Sequence, residues 1–228
     1  MLLVLNLKMN LTKSSIMKYE ELIHDKNVIV LPQYPYLLFF SRGKYSLGSQ
    51  DVSKFSKGSY TGEVCAKGLK QLGVKYVLIG HSERKEYFNE TINDSRLKMQ
   101  NVVENDLIPI YCINESLSDY EKNDLKSIEE QLSSIPNYVK YMIVAYEPTY
   151  MIGNEDSDID IKHINKVMEF IKEYMMERNI SHSIIYGGGV NKDNVDDLKS
   201  ISCIDGFIIS SSALDIDQLD SIYKKINC

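Results

Sequence analysis

No stretch of the chain approaches the roughly 18 consecutive apolar residues of a membrane-spanning helix, so no membrane partner is expected. The opening run, MLLVLNLKMN, is too short for the core of a secretory leader, and no small-residue cleavage site follows it. Basic excess is missing too. Lys and Arg number 26 against 32 Asp and Glu, a formal charge of −6 that argues against a nucleic-acid partner. The four cysteines (Cys65, Cys112, Cys203, Cys228) have neither CxxC nor CxxH spacing, and the four histidines form no HxxxH or HxH pair. That pattern lacks a zinc motif and a disulfide framework, and it suits reduced thiols in a cytoplasmic enzyme. No GxGxxG follows the first apolar run and no GxxxxGKS or GxxxxGKT occurs, which removes the usual dinucleotide and P-loop fingerprints.

What is present is a core-forming composition, 43% hydrophobic over 228 residues, without low-complexity tracts or a linker. Eight short runs of β character recur: Leu2–Asn6, Val28–Pro32, Ser46–Gln50, Tyr76–Gly80, Leu107–Cys112, Met142–Glu147, Ser183–Gly187 and Gly206–Ser210. Most are continuous rather than alternating, as in parallel strands covered on both faces. Helical patterns separate them, most clearly Asn93–Asn105, Ser118–Leu132, Ile159–Arg178, Asp193–Lys199 and Asp217–Ile226. Strand–helix alternation from end to end, in eight units, predicts a (β/α)8 barrel, one domain over residues 1–228.

In such a barrel the active-site residues stand at the C-terminal ends of the strands. The first run ends Asn6-Leu7-Lys8, the fourth His81-Ser82-Glu83, and the sixth Glu147-Pro148. The seventh ends in Gly187-Gly188-Gly189, which lets backbone amides approach a ligand, and the eighth in Ser210-Ser211-Ser212 ahead of a helical tail. An ammonium, an imidazole, a carboxylate and two amide-rich loops at one mouth describe a site for a small phosphorylated anion with a proton-transfer pair. Pro148, with fixed φ and no N–H, stiffens the exit behind Glu147.

These motifs resemble the triosephosphate isomerase family over essentially the whole chain. NLKMN is similar to the family's NWKMN, GHSERK to GHSERR, AYEPTYMIG to AYEPVWAIG, YGGGV to YGGSV, DGFIISSSAL to DGFLVGGASL, and YTGE to FTGE. The resemblance implies an isomerase of triose phosphates, acting in glycolysis and gluconeogenesis, that needs no metal or organic cofactor. It implies Glu147 as general base, His81 as neutral electrophile, Lys8 as electrostatic anchor and Asn6 as orienter of the carbonyl region. That family is the standard illustration of a base carboxylate paired with a histidine kept neutral by a helix N-terminus. It further implies phosphate-binding amides at Gly153, Gly189, Ser210 and Ser211, supporting roles for Glu83 and Cys112, and a homodimer in which Thr61 reaches the neighbour's Lys8. Tyr150 replaces the lid tryptophan, Asn154-Glu155-Asp156 replaces Thr-Gly-Lys, and Gly189 replaces a serine. These departures bear on lid closure and phosphate affinity rather than on reaction type.

Overall fold

A computed structural model describes residues 1–152 and 159–227, without the side chains of residues 13–15. Eight strands run β1 (Leu2–Asn6), β2 (Val28–Leu31), β3 (Ser46–Ser49), β4 (Tyr76–Ile79), β5 (Ile108–Glu115), β6 (Tyr141–Pro148), β7 (Ser181–Tyr186) and β8 (Gly206–Ile209). All pair in parallel with their sequence neighbours, and β8 returns to β1, closing a barrel. Closure depends on a glycine. A Cβ on Gly206 would stand 2.1 Å from the Leu2 carbonyl oxygen, so only glycine lets β8 approach β1 here.

The continuous apolar runs are explained by two cores. Alternate residues such as Val4, Leu78, Ile110, Cys112 and Ile185 point into the barrel. Their neighbours, among them Leu5, Ile79, Tyr111 and Val144, pack outward under the helices. Each fully buried aliphatic side chain contributes about 1.5–3 kcal/mol over exposure.

Among the described residues eleven helices cover the barrel: α1 (Lys13–Leu22), α2 (Leu37–Phe40), α3 (Ala66–Gln71), α4 (Ser82–Phe88), α5 (Ile92–Glu104), α6 (Leu117–Lys122), α7 (Lys126–Ser133), α8 (Ile161–Glu177), α9 (Val195–Lys199), α10 (Ser211–Leu214) and α11 (Ile216–Asn227). A reciprocal Thr91–Asp94 capping box starts α5, and the Asp160 side chain accepts the His163 N–H at the start of α8. None of these helices is long and apolar enough to cross a membrane.

Two sequence boundaries need correction. The single helix expected over Ser118–Leu132 is two, because Asn123 adopts a left-handed conformation (φ 54°) that caps α6 before α7 begins. The strand expected to end at Cys112 runs three residues further, to Glu115, which pairs with Pro148.

Candidate active site

Glu147 leaves β6 at the barrel mouth and is only 3% exposed. It lies over Gly187 of β7, where an added Cβ would come within 2.9 Å of the Glu147 Cγ. Beneath it Cys112 is fully buried, and burial together with the neighbouring carboxylate pushes that thiol well above its usual range. The Glu147 Oε2 is buried without a hydrogen-bond partner. An unsatisfied buried carboxylate oxygen is costly, so it marks a place where chemistry rather than stability has set the residue.

Facing it is His81, which caps α4. The backbone N–H of Glu83 donates to His81 Nδ1 at 3.3 Å, and Nε2 stands 3.7 Å from Glu147 Oε2. Because Nδ1 accepts, the ring proton sits on Nε2, pointed into the mouth. On the same rim, Lys8 Nζ forms an ion pair with Glu83 Oε1 at 2.5 Å. The Lys8 backbone has φ 45°, a left-handed conformation that an unbranched non-glycine residue rarely takes, and its N–H donates to Asn6 Oδ1 at 3.3 Å. Gln50 Nε2 fixes this loop by donating to the carbonyls of Lys8 and Leu31 at 2.9 and 2.8 Å.

A cleft joins Lys8, His81 and Glu147 to Gly189, Ser210 and Ser211. The loops after β7 and β8 are tied together beneath it, since the buried Ser212 hydroxyl donates to the Val190 carbonyl at 2.8 Å. Asn194 Nδ2 likewise holds the Gly189 carbonyl at 2.9 Å. Asn6, 3% exposed at the end of β1, opens instead on an adjoining apolar pocket that Lys8 and His81 also line. Thr61 lies on an exposed loop and lines neither cavity. Gly153, and with it the Asn154–Asp156 departure, lies outside the described residues. No group of three or more His, Cys, Asp or Glu among the described residues is arranged to hold a metal ion.

Sequence reading missed the support around Glu147. Glu115, fully buried at the end of β5, accepts the Tyr146 hydroxyl at 2.6 Å and the Tyr150 hydroxyl at 3.3 Å, with His163 Nε2 2.9 Å away. These bonds clamp the residues on both sides of Glu147-Pro148. Lys85 was also missed. Its Nζ donates to Asn114 Oδ1 and Gln131 Oε1 at 2.7 and 2.8 Å, directly behind the mouth. The one available signal was the lysine closing GHSERK, where the similar motif has arginine.

A family profile described as "Triosephosphate isomerase" matches residues 1–226. The chain is 34% identical over 238 residues to the triosephosphate isomerase of Ureaplasma parvum serovar 3, covering 98% of both chains. Against that of Wolbachia sp. subsp. Brugia malayi it is 33% identical over 235 residues, covering 99% of this chain and 97% of the relative. The Mesomycoplasma hyorhinis protein of the same name is 37% identical over 177 residues, covering 76% of this chain and 71% of the relative.

Proposed function

The chain belongs to the triosephosphate isomerase family, and from that premise we propose how its mouth interconverts dihydroxyacetone phosphate and D-glyceraldehyde 3-phosphate. Glu147 takes a proton from C1 of the ketose. The C–H electrons form the C1–C2 double bond, the carbonyl π electrons move to oxygen, and the enediolate results. The hydroxyl proton passes from the C1 oxygen to the C2 oxygen, and returning the carbon proton to C2 as the C1–O bond becomes the carbonyl gives the aldose. The observation that carries this reading is the buried, unpartnered Oε2 of Glu147 facing the protonated edge of His81 at 3.7 Å.

Each remaining group serves the developing charge. His81 Nε2–H donates to the oxygen that becomes negative, in a ring that has no second proton to lose. Lys8 adds a fixed positive charge at the rim, and Asn6 orients the carbonyl end. Backbone amides of Gly189, Ser210 and Ser211 bind the phosphate, the role the family resemblance also gives Gly153. Glu83 holds both Lys8 and the His81 ring in place, and Cys112 forms the floor under the base.

The apolar pocket beside the mouth fits a second copy of the chain. Met9, Tyr87 and Phe88 on its wall are 87%, 67% and 66% exposed, far more than large apolar side chains of a finished surface. Thr61 and Tyr60 sit on the polar-aromatic loop that would fill it, with Tyr60 stacked on Phe55 at 3.8 Å. A homodimer would therefore place Thr61 of one copy beside Lys8 of the other. Free thiols at Cys65, Cys112 and Cys203 suit a reducing compartment, the cytoplasm.

The test is a coupled isomerase assay in both directions on the wild type and on Glu147→Gln. The variant is expected to lose at least 10²–10⁴-fold in turnover, the contribution of a positioned base, while still binding phosphoglycolate. Near-normal turnover in the variant would remove Glu147 from the mechanism.

A further inference from the structure

Lys85 reaches from α4 to β5 and α7 and ends on two neutral amides, Asn114 and Gln131, not on a carboxylate. Enclosing an ammonium is costly unless a negative charge compensates it. Burial holds the Lys85 pKa below the ordinary lysine value, and the groups that bear on it are the Cys112 thiol and the carboxylates of Glu147 and Glu90. Glu90 is already engaged by Arg84 at 2.7 Å and Lys98 at 2.5 Å. Lys8, the other cation near the mouth, is tied to Glu83. The carboxylate left for Lys85 is Glu147.

The intervening residue is oriented to connect them. A lysine only donates, so the oxygen of the Asn114 amide must face Lys85 and Nδ2 must face away. That Nδ2 is buried without a partner, as is Oε2 of Glu147. Asn114 and Glu147 are register partners on β5 and β6. Neighbouring strands lie about 4.8 Å apart, and in-register side chains leave the same face of the sheet. An unsatisfied donor and an unsatisfied acceptor therefore stand on register-paired residues of neighbouring strands. The remaining sides of Glu147 offer His81, which is neutral in its accepting tautomer, the Cys112 thiol and Gly187.

We propose that Lys85 is a positioning residue for the catalytic base: by fixing the Asn114 amide oxygen it presents the free Nδ2 to the Glu147 carboxylate, and it supplies the positive field that keeps that carboxylate anionic in a buried site. This rests on Glu147 being the base. Neither Lys85 nor Asn114 lines the cleft or the adjoining pocket. Their effect reaches the reaction only through the charge state and aim of one carboxylate.

Three variants separate this from a structural role. Lys85→Met keeps the length and removes the charge, Lys85→Arg keeps the charge, and Asn114→Ala removes the link. In Lys85→Met the acidic limb of kcat, which reports the enzyme–substrate complex, is expected to move up by about one pH unit, the scale set by losing an opposite charge at short range. Its KM for the triose phosphate should stay within about threefold of wild type, because the phosphate contacts are untouched. Lys85→Arg should restore the wild-type limb, and Asn114→Ala should move it in the same direction by less. A Lys85 that merely braces α4 against β5 would lower kcat equally at every pH and leave the limb in place; that result overturns the proposal. If Lys85→Met does not fold, Asn114→Ala answers the same question by the same limb. Should Glu147→Gln keep its turnover, the base assignment fails. If Glu147→Gln is inactive but the limb stays put in Lys85→Met and Asn114→Ala, the relay alone fails.

Discussion

The backbone N–H of Glu83 donates to Nδ1 of His81 at 3.3 Å, so one edge of the imidazole is committed as an acceptor before any ligand arrives. The first turn of α4 thus selects the tautomer. At neutral pH, 15N spectra of the histidine ring are expected to show an unprotonated Nδ1 and a protonated Nε2. The reverse tautomer, or an imidazolium in the free protein, would contradict the electrophile described above.

Assembly is tested at Thr61. Replacing it by Arg puts a bulky charge on the loop proposed to enter a neighbour's apolar pocket beside Lys8. Sedimentation should show a weakened dimer, and specific activity should fall with the dimer fraction as the protein is diluted. A wild-type chain that sediments as a fully active monomer would rule the arrangement out.

Below that pocket four charges form one network. Lys98 Nζ lies 2.6 Å from Asp51 and 2.5 Å from Glu90, and Arg84 Nε lies 2.9 Å from Asp51 and 2.7 Å from Glu90. Lys98 and Glu90 are almost fully enclosed, at 6% and 4% side-chain exposure. Lys98→Met would leave two carboxylates sharing the single Arg84 cation, an imbalance expected to cost about 3–5 kcal/mol in denaturant unfolding. A loss under 1 kcal/mol would mean that water enters and screens the cluster.

Alkaline stability should report a buried phenol. Tyr111 is fully buried, its hydroxyl is 3.1 Å from Ser134 Oγ, and burial pushes its pKa to about 12. The unfolded chain releases that proton from about pH 10, so between pH 10 and 12 the folded state holds more protons and stability falls as pH rises. Tyr111's share, on the order of 2–3 kcal/mol, is fully present below pH 10. Tyr111→Phe should therefore lose less stability than wild type between pH 10 and 12, measured by denaturant unfolding at each pH.

Much of this site was legible because barrels concentrate function at strand ends, and strand ends are marked by a change of polarity. Asn6, His81 and Glu147 each follow an unbroken apolar run, and the cleft gathers His81 and Glu147 with Lys8, Gly189, Ser210 and Ser211. The same rule misled at β5. The expected strand end at Cys112 fell three residues short, because Glu115 stays buried where Tyr146, Tyr150 and His163 satisfy it from β6, the loop after it and α8. No local pattern announces partners 31 to 48 residues away. Lys85 was hidden for a related reason: in sequence it is one more charge in an exposed-looking helix, and only the packing of α4 against β5 and α7 reveals its two acceptors.

Lys8 carries its ammonium on a left-handed backbone, at φ 45°. Glycine or asparagine accepts that conformation with less strain, so Lys8→Gly is expected to be neutral or to gain up to about 1 kcal/mol in folding stability. The same change deletes the rim charge proposed to hold the substrate. A directed-evolution campaign that screens this chain for heat resistance alone would thus be drawn toward position 8 and would enrich thermostable, inactive clones. Selection would have to score turnover and melting temperature on the same colonies to avoid that trap.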